Sequence, residues 1–250
     1  MRPSLNLAGL AGLLERAFRG RVSAVALAIN SPGGSPVQSA LIHDRIRQLS
    51  HEKNIPVFAF CEDVAASGGY WLACAGDEIH ANANSIVGSI GVISGGFGFD
   101  KALDKLGIDR RVYTAGEKKG FLDPFQPENE TDVKRLKSLQ KEIHDQFKAH
   151  VRGRRGERLK GTDRKLFTGE FWTGQSALQL GLVDGIGELR QVMRDRYGDK
   201  TRFRVLQPGR GFLQRRLGLV RGEGWDSGLN LADGLVAAVE RRALWQRYGL

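Results

Sequence analysis

The sequence predicts an α/β fold built of strand and helix units stacked around a parallel sheet. Two apolar runs, residues 22–29 and 57–60, have the composition of buried strands, and each leads through a glycine turn to apolar residues at helical spacing. Strands that alternate with helices in this way are typical of parallel sheets. Because ligands of such sheets bind beyond the carboxyl ends of the strands, we expect the functional site at the turns 33–34 and 67–69.

The other elements are predicted from the periodicity of apolar residues along the chain. Helices are expected at residues 5–19, 37–49, 99–106, 129–151 and 230–246. Further strands are expected at 78–81, 85–93 and 112–113, and loops at 61–66 and 116–127. The chain therefore divides into one domain, residues 1–206, and a basic tail, residues 207–250, that ends in a helix.

The composition is that of a globular domain with a positive charge. The chain has 250 residues, of which 41% are hydrophobic, and a formal net charge of +10. Such a charge suits nucleic acid or a lipid surface, but no known nucleic-acid module accompanies the basic residues at 152–160 and 210–216, so a solvated surface is favoured over specific nucleic-acid binding. No run of about 18 apolar residues and no signal peptide is present, which predicts neither a membrane span nor export.

The cysteines and histidines predict neither a disulfide framework nor a metal site. Cys61 and Cys74 form no Cys-x-x-Cys pair, and two buried thiols are expected. We expect no cofactor and no metal.

Ser67 is the first candidate nucleophile. It precedes two glycines at the predicted start of a helix, where free N–H groups and the helix dipole favour a developing anion. The N–H of Gly68 is one candidate oxyanion donor, and Gly34, at the end of the neighbouring strand, is the second. Taken alone, a Ser-Gly-Gly string is more often a tight turn with an N-capping serine.

The base for Ser67 is sought first among histidines and then among lysines. Four histidines fall on polar faces of predicted helices and one in a short strand, which favours exposed positions over a Ser-His triad. These are His43, His51, His80, His144 and His150. Lys118 and Lys119 lie beside apolar side chains in the loop 116–127, a setting that lowers a lysine pKa, although such a pair is commonly solvated.

Several strings in the chain resemble the signal peptide peptidase A and SohB family of bacterial serine peptidases. They are Ile29-Asn-Ser-Pro-Gly-Gly34, Asp63-Val-Ala-Ala-Ser67-Gly-Gly-Tyr-Trp-Leu-Ala, Ala75-Gly-Asp77-Glu-Ile79, Val87-Gly-Ser89-Ile-Gly-Val-Ile93 and Lys105-Leu-Gly-Ile. The resemblance covers about residues 5–205, and the strings are in order and correctly spaced. It implies that residues 1–206 are a peptidase domain with a ClpP/crotonase-like fold of stacked β-β-α units.

The resemblance also implies roles for individual residues. Ser67 corresponds to the nucleophile, and Lys119, the last residue of a Gly-x-x-Lys loop, to its base, with Lys118 as the alternative. Ser89 corresponds to a hydroxyl that orients the lysine. Substrate is expected as an added strand along Gly95 and Gly96, with further contacts from Gly33 and Gly69.

The family assembles as rings or domes, so a homo-oligomer is expected, with the serine and lysine contributed by adjacent subunits. Substrates are expected to be peptides or unfolded protein segments. Family members usually carry an anchor and one or two strands before the first helix, whereas this chain begins inside that helix. Either a truncated start with missing strands or a natural soluble form is expected, and a cytoplasmic or a membrane-associated location stays open. Two alternatives share the fold: an acyl-CoA enzyme of the crotonase type and a catalytically silent scaffold.

Overall fold

The computed structural model describes residues 5–207 together with Trp245, Gln246 and Tyr248. In this part of the chain the helices are α1 (Leu7–Ala17), α2 (Pro36–Lys53), α3 (Gly68–Ala73), α4 (Asp100–Leu106), α5 (Glu130–Arg155), α6 (Asp163–Leu166), α7 (Gly174–Gln179) and α8 (Leu189–Tyr197). The strands are β1 (Val25–Ser31), β2 (Val57–Ala66), β3 (Glu78–Ala81), β4 (Ile86–Gly88), β5 (Phe171–Thr173) and β6 (Gly185–Ile186).

Strand β2 organises the sheet. Along one edge it pairs in parallel with β1. Its other edge is divided, because Phe58–Cys61 pair with β3 and Val64–Ala66 pair with β4, both in parallel. Strand β6 continues the parallel sheet beyond β3, and β5 lies antiparallel to β4. The predicted parallel sheet is thus present, with one antiparallel strand at its edge.

Helix α2 shows how the local sequence sets the ends of an element. Ser35 is its N-cap, with a side chain that accepts a hydrogen bond from the Gln38 amide, and Pro36 occupies the first turn, where its missing N–H costs nothing. The helix ends at Asn54, which adopts a left-handed conformation with φ 49°. Its buried face packs on the sheet through a stripe of apolar residues, Ile42, Ile46 and Leu49.

The core joins the sheet to helices from distant parts of the chain. The Tyr70 hydroxyl, fully buried, donates to the Leu182 carbonyl at 2.7 Å. The guanidinium of Arg155, also buried, binds both carboxylate oxygens of Asp184 at 2.7 and 2.9 Å. Although burial acts to raise it, these contacts hold the pKa of Asp184 below its usual value. The Asp184 carboxylate in turn accepts from the amide of Ile79, so the ion pair connects α5 to β3.

Three predictions about strands are wrong, for physical reasons. Residues 61–66 are the second half of β2 and not a loop, because pairing with β1 and β4 outweighs the two polar residues in the middle of the run. The strand predicted at 85–93 shrinks to β4, and residues 112–113 are not a strand since no partner strand reaches them. The terminal helix predicted at 230–246 lies outside the described residues, apart from Trp245 and Gln246, which are helical.

Residues 93–128, here called the arm, differ from the rest of the domain in exposure. Apart from Asp100, Leu103 and Asp123, every residue of the arm is exposed. The arm contains α4, predicted at 99–106, which ends at Gly107 in a left-handed conformation. Its described hydrogen bonds run within the arm or to the first turn of α5. The arm therefore extends from the rest of the described domain, here called the body, and has no packed face of its own.

Candidate active site

Ser67 directly follows β2 and has a strained backbone. Its φ is 52° and its ψ is −122°, in a region that side-chain-bearing residues rarely adopt. The conformation is fixed on both sides, because the Ser67 amide donates to the Gly88 carbonyl at 2.8 Å and the Ser67 carbonyl accepts from the Trp71 amide at 3.0 Å. Its side chain does not cap α3. A strained serine between a strand and a helix is the arrangement that exposes a nucleophile.

The turn that follows β1 packs directly against Ser67. A methyl group on Gly33 would lie 2.8 Å from the Ser67 Cβ and 3.2 Å from its Oγ, so only glycine fits at this position. A methyl group on Gly68 would lie 3.3 Å from the Gly34 nitrogen. The structure thus brings together Gly33, Gly34, Ser67 and Gly68, as the sequence predicted. Two backbone amides beside one hydroxyl provide the elements of an oxyanion hole.

Ser89 is linked to Ser67 through a single residue. Gly88, whose carbonyl holds the Ser67 amide, immediately precedes it. Ser89 has a φ of 51° and is buried, and its amide donates to the Glu170 carbonyl at 2.7 Å. Its hydroxyl accepts a hydrogen bond from the Tyr248 hydroxyl at 3.3 Å. Ser67 and Ser89 therefore share one structural unit at the ends of β2 and β4.

Lys119 is not part of this unit within one chain. It lies in the arm, in the stretch 111–120, of which every residue is exposed. Its amide closes a turn with the Gly116 carbonyl at 3.2 Å, and its side chain makes no described contact with Ser67. Lys118 is equally exposed, so one chain does not distinguish the two lysines. Gly95 and Gly96 also lie in the arm, with open space around each.

Gly69 occupies a packing position. It is buried, and a methyl group there would lie 2.4 Å from the Ser31 carbonyl oxygen. This close approach holds α3 against the end of β1. A contact between Gly69 and substrate stays a prediction.

The histidines are engaged elsewhere. The expectation that they are exposed holds only for His51: His43 is buried, and His80, His144 and His150 are partly buried, with His150 stacked on Trp71. The imidazoles of His80 and His144 contact the Glu78 carboxylate and the Ile90 carbonyl. No described hydrogen bond joins an imidazole to Ser67.

Two contributors to the site were not predicted from the sequence. The Gly88 carbonyl was missed although it lies in the Val-Gly-Ser string, because a backbone acceptor carries no residue signature. Tyr248 was missed because no pattern connects it to a position 159 residues earlier. Its ring also packs edge-to-face on Phe171 of β5, with centroids 5.1 Å apart.

Both cysteines are buried and unpaired, as predicted. Burial raises the pKa of each thiol to about 12, which keeps Cys61 and Cys74 protonated and unsuited to nucleophilic attack. Among the described residues, no cluster of histidine, cysteine or carboxylate side chains has the geometry to hold a metal ion. This leaves Ser67 as the candidate nucleophile.

Comparison with known proteins shows the family of the chain. Residues 50–200 match peptidase family S49. The chain belongs to this family. The match includes Ser67, Ser89 and Lys119, and the predicted likeness to SppA and SohB peptidases is confirmed. Membership in S49 also weighs against the alternative of a crotonase-type acyl-CoA enzyme.

Relatives of this S49 chain are considerably longer than the part that aligns with it. A putative signal peptide peptidase SppA of Enterococcus faecium is 32% identical over 166 residues, which cover 66% of this chain and 48% of that protein. A Na(+)/H(+) antiporter NhaA of Brucella abortus (strain 2308) is 53% identical over 259 residues, which cover 100% of this chain and 35% of that protein. The S49 chain thus spans about a third to a half of the length of these relatives.

A solved structure confirms the fold. A mutant of the 1510-N membrane-bound stomatin-specific protease superposes with a TM-score of 0.51 at 17% identity, covering 81% of this chain and 86% of that one. The predicted ClpP/crotonase-like α/β fold is therefore present in this S49 chain. In the part of the chain that the structure describes, no helix has both the length and the apolar character needed to cross a membrane.

Proposed function

We propose that this S49 chain is a serine endopeptidase with Ser67 as nucleophile and Lys119 of a neighbouring copy as base. The observation that carries the proposal is the strained backbone of Ser67 at the end of β2, packed against the Gly33 turn. Strain of this kind persists where function requires it and the surroundings impose it. Ser67 lies beside two amides that suit an oxyanion, and these supply half of a hydrolytic site.

The second half of the site is proposed to come from another subunit. A lysine acts as a base near neutral pH only when it is removed from water. Lys119 is exposed on the arm, and the arm also exposes several large apolar side chains. These are Ile93, Phe97, Leu106, Ile108 and Tyr113. Contact between the arm and the body of a second copy would bury these residues and desolvate Lys119 at the same time.

The reaction proceeds in two stages. Neutral Lys119 accepts the proton of the Ser67 hydroxyl while Oγ attacks the carbonyl carbon of the scissile peptide bond. The carbonyl oxygen becomes an oxyanion and accepts hydrogen bonds from the Gly34 and Gly68 amides. The C–N bond then breaks, and the lysine ammonium gives its proton to the leaving amine. In the second stage the lysine deprotonates a water molecule, which attacks the acyl ester. The ester C–O bond then breaks, and the lysine ammonium returns a proton to the Ser67 oxygen as the acid product leaves.

Ser89 is proposed to orient the lysine. Its hydroxyl lies one residue beyond the carbonyl that holds Ser67, and it accepts a hydrogen bond from the Tyr248 hydroxyl. A hydroxyl oxygen has two lone pairs, so an approaching ammonium can bind Ser89 beside Tyr248 or in its place. The base would then be fixed by a third group, as an activated nucleophile requires.

The proposed substrates are extended peptides, such as remnants of signal peptides or segments of unfolded and membrane proteins. Residues 93–98 have no strand partner among the residues that the structure describes, and a Cβ at Gly95 or Gly96 would meet nothing within 4 Å. Their free backbone groups suit a peptide that adds as a strand. The exposed side chains of Ile93 and Phe97 on the same segment favour apolar residues in the substrate.

The test compares the wild type with Ser67→Ala, Lys119→Ala and Lys118→Ala. Turnover of a fluorogenic peptide and native mass are measured for each. Ser67→Ala and Lys119→Ala are expected to lose turnover with an unchanged mass, while Lys118→Ala, the matched control, keeps it. An equimolar mixture of the two inactive variants, assembled together, should regain about a quarter of wild-type turnover if each site takes one group from each of two subunits.

Other results contradict specific parts of the proposal. An assembled wild type that neither turns over peptide nor reacts at Ser67 with a fluorophosphonate favours the catalytically silent scaffold. If Lys118→Ala loses turnover and Lys119→Ala keeps it, the base is Lys118 and not Lys119. A mixture that stays inactive places both groups in one chain.

A further inference from the structure

Ser39 on α2 has a buried hydroxyl without a hydrogen-bond partner. The residue is fully buried, and its Oγ is one of four buried side-chain polar atoms in the described residues that have no partner. A helical serine ordinarily donates to the carbonyl four residues earlier. Here the Ser35 carbonyl accepts from the Ser39 amide at 3.0 Å, and the hydroxyl does not share it. Because an unsatisfied buried hydroxyl costs free energy, its position needs a reason.

The hydroxyl lies against the candidate oxyanion hole. A methyl group on Gly68 would lie 2.5 Å from the Ser39 Oγ and 3.3 Å from the Gly34 nitrogen. The same point is 3.5 Å from the Gly33 Cα. Ser39 therefore contacts the backbone of Gly68 on the side where the turn after β1 also packs. The unpartnered hydroxyl of α2 thus lies against the backbone of Gly68, which the Gly33–Gly34 turn also approaches.

We propose that Ser39 is a positioning residue for the oxyanion hole: its hydroxyl holds Gly68 and the Gly33–Gly34 turn in place and orients its dipole when negative charge develops there. A hydroxyl without a partner rotates freely, so its hydrogen can turn toward an anion at no cost in broken hydrogen bonds. In a buried site such a dipole acts strongly. The interaction is stronger in the transition state than in the resting enzyme, so it raises kcat rather than substrate affinity.

Ser50, on the same helix, provides a matched control. It is also a buried serine, but its hydroxyl donates to the Ile55 carbonyl at 2.8 Å, at the other end of α2. Ser39→Ala removes an unsatisfied group beside the site, whereas Ser50→Ala removes a satisfied group far along the helix. The two substitutions are chemically identical and are expected to have opposite effects.

The experiment measures three quantities for the full chain in its assembled form: kcat and KM with a fluorogenic peptide, the second-order rate of fluorophosphonate labelling at Ser67, and the midpoint of chemical unfolding. For Ser39→Ala we expect kcat and the labelling rate to fall about tenfold, less than for loss of a direct oxyanion donor, with KM unchanged. The unfolding midpoint should stay the same or rise. For Ser50→Ala we expect an unchanged kcat and a lower midpoint.

The inference rests on the proposed function, and the outcomes separate the two. If Ser67→Ala keeps the turnover and the labelling rate of the wild type, both proposals are overturned. If Ser67→Ala loses activity but Ser39→Ala keeps the wild-type kcat and labelling rate, only the role of Ser39 is overturned. A parallel loss of rate and stability in Ser39→Ala also overturns that role, because it would reduce Ser39 to a packing residue.

Discussion

The body and the arm differ in how far the fold of one chain determines the surroundings of a proposed catalytic residue. In the body, Ser67 lies beside strands that are almost wholly buried, and its backbone is fixed by the Gly88 carbonyl. In the arm, Lys119 lies in a stretch of ten exposed residues, 111–120. The fold of one chain thus determines the surroundings of the proposed nucleophile, while those of the proposed base depend on what the arm contacts.

The contrast extends to the apolar residues. Apolar side chains in the body pack into two core clusters, whereas Phe97 and Tyr113 in the arm are 78% and 91% exposed. Exposed apolar groups in such number are typical of a surface that becomes buried on assembly. The comparison teaches that stability and catalysis should respond separately to substitutions in the two regions.

The largest effect is expected for a methyl group added beside Ser67. Gly33→Ala places that group 2.8 Å from the Ser67 Cβ at a φ of 116°, so the turn must shift and carry the Gly34 amide with it. Peptide turnover should fall about 100-fold or more, as for loss of an oxyanion donor. Gly96→Ala, the matched change in the arm, meets no atom within 4 Å and should leave the unfolding midpoint unchanged.

A Gly33→Ala variant with full turnover would show that the turn is not part of the site. Kinetic assays combined with thermal unfolding of both variants distinguish a displaced turn from a general loss of folded protein.

The second largest effect is expected on the stability of the body, from loss of the buried ion pair between Arg155 and Asp184. Arg155→Met removes the partner of Asp184 and leaves a partly buried carboxylate with fewer compensating contacts. The free energy of unfolding should fall by about 3–5 kcal/mol, because removing one member of a buried pair strands the other. Denaturant titration measures it. An unchanged midpoint would mean that Arg158, which also contacts Asp184, replaces the lost guanidinium.

The third effect is a pH dependence that belongs to the body. Burial, with a smaller contribution from His43, lowers the pKa of His150 from 6.5 to about 4. Above pH 6.5 both the folded and the unfolded state hold a neutral imidazole, and stability is complete. Between pH 6.5 and 4 only the unfolded state takes up the proton, so stability should fall by about 2–3 kcal/mol across this window.

His150→Gln should flatten the loss of stability between pH 6.5 and 4, leaving the part due to His43, whose pKa burial also lowers. Nearby charges modulate the slope: Asp44 favours protonation and Arg154 opposes it. His51→Gln, on an exposed position of α2, is the control and should keep the wild-type slope. If all three proteins lose stability with the same slope, His150 is not the source of the pH dependence.

The smallest effect is expected in the arm. A hydrogen bond from Arg110 holds the pKa of the Asp123 carboxyl below its usual value. Arg110→Met should return that pKa toward the ordinary value, measured by NMR titration, and leave the unfolding midpoint unchanged, because both partners of this ion pair lie in the arm, away from the packed core, and the Arg110 side chain is partly exposed. A lowered midpoint would show that the arm unfolds together with the body.

The sequence predicted the parts of the site that depend on short-range patterns. Ser67 followed by two glycines at a strand end indicated a nucleophile turn, and the rule that ligands bind at carboxyl ends of parallel strands joined it to Gly34. The second half of β2 was missed because Glu62 and Asp63 interrupt the apolar run, and β5 because three residues carry no period. Whether Lys119 or Lys118 faces a hydroxyl depends on contacts outside one chain, which no local pattern encodes.

The divided edge of β2 limits how the sequence can change. Since one edge of this strand pairs with β3 in its first half and β4 in its second, the spacing between Phe58 and Ala66 must suit two neighbours at once. Deleting or inserting one residue here would reverse the direction of every following side chain and shift Ser67 away from the Gly88 carbonyl. Length variation is therefore expected in the connections around this strand, while the strand itself keeps a fixed number of residues.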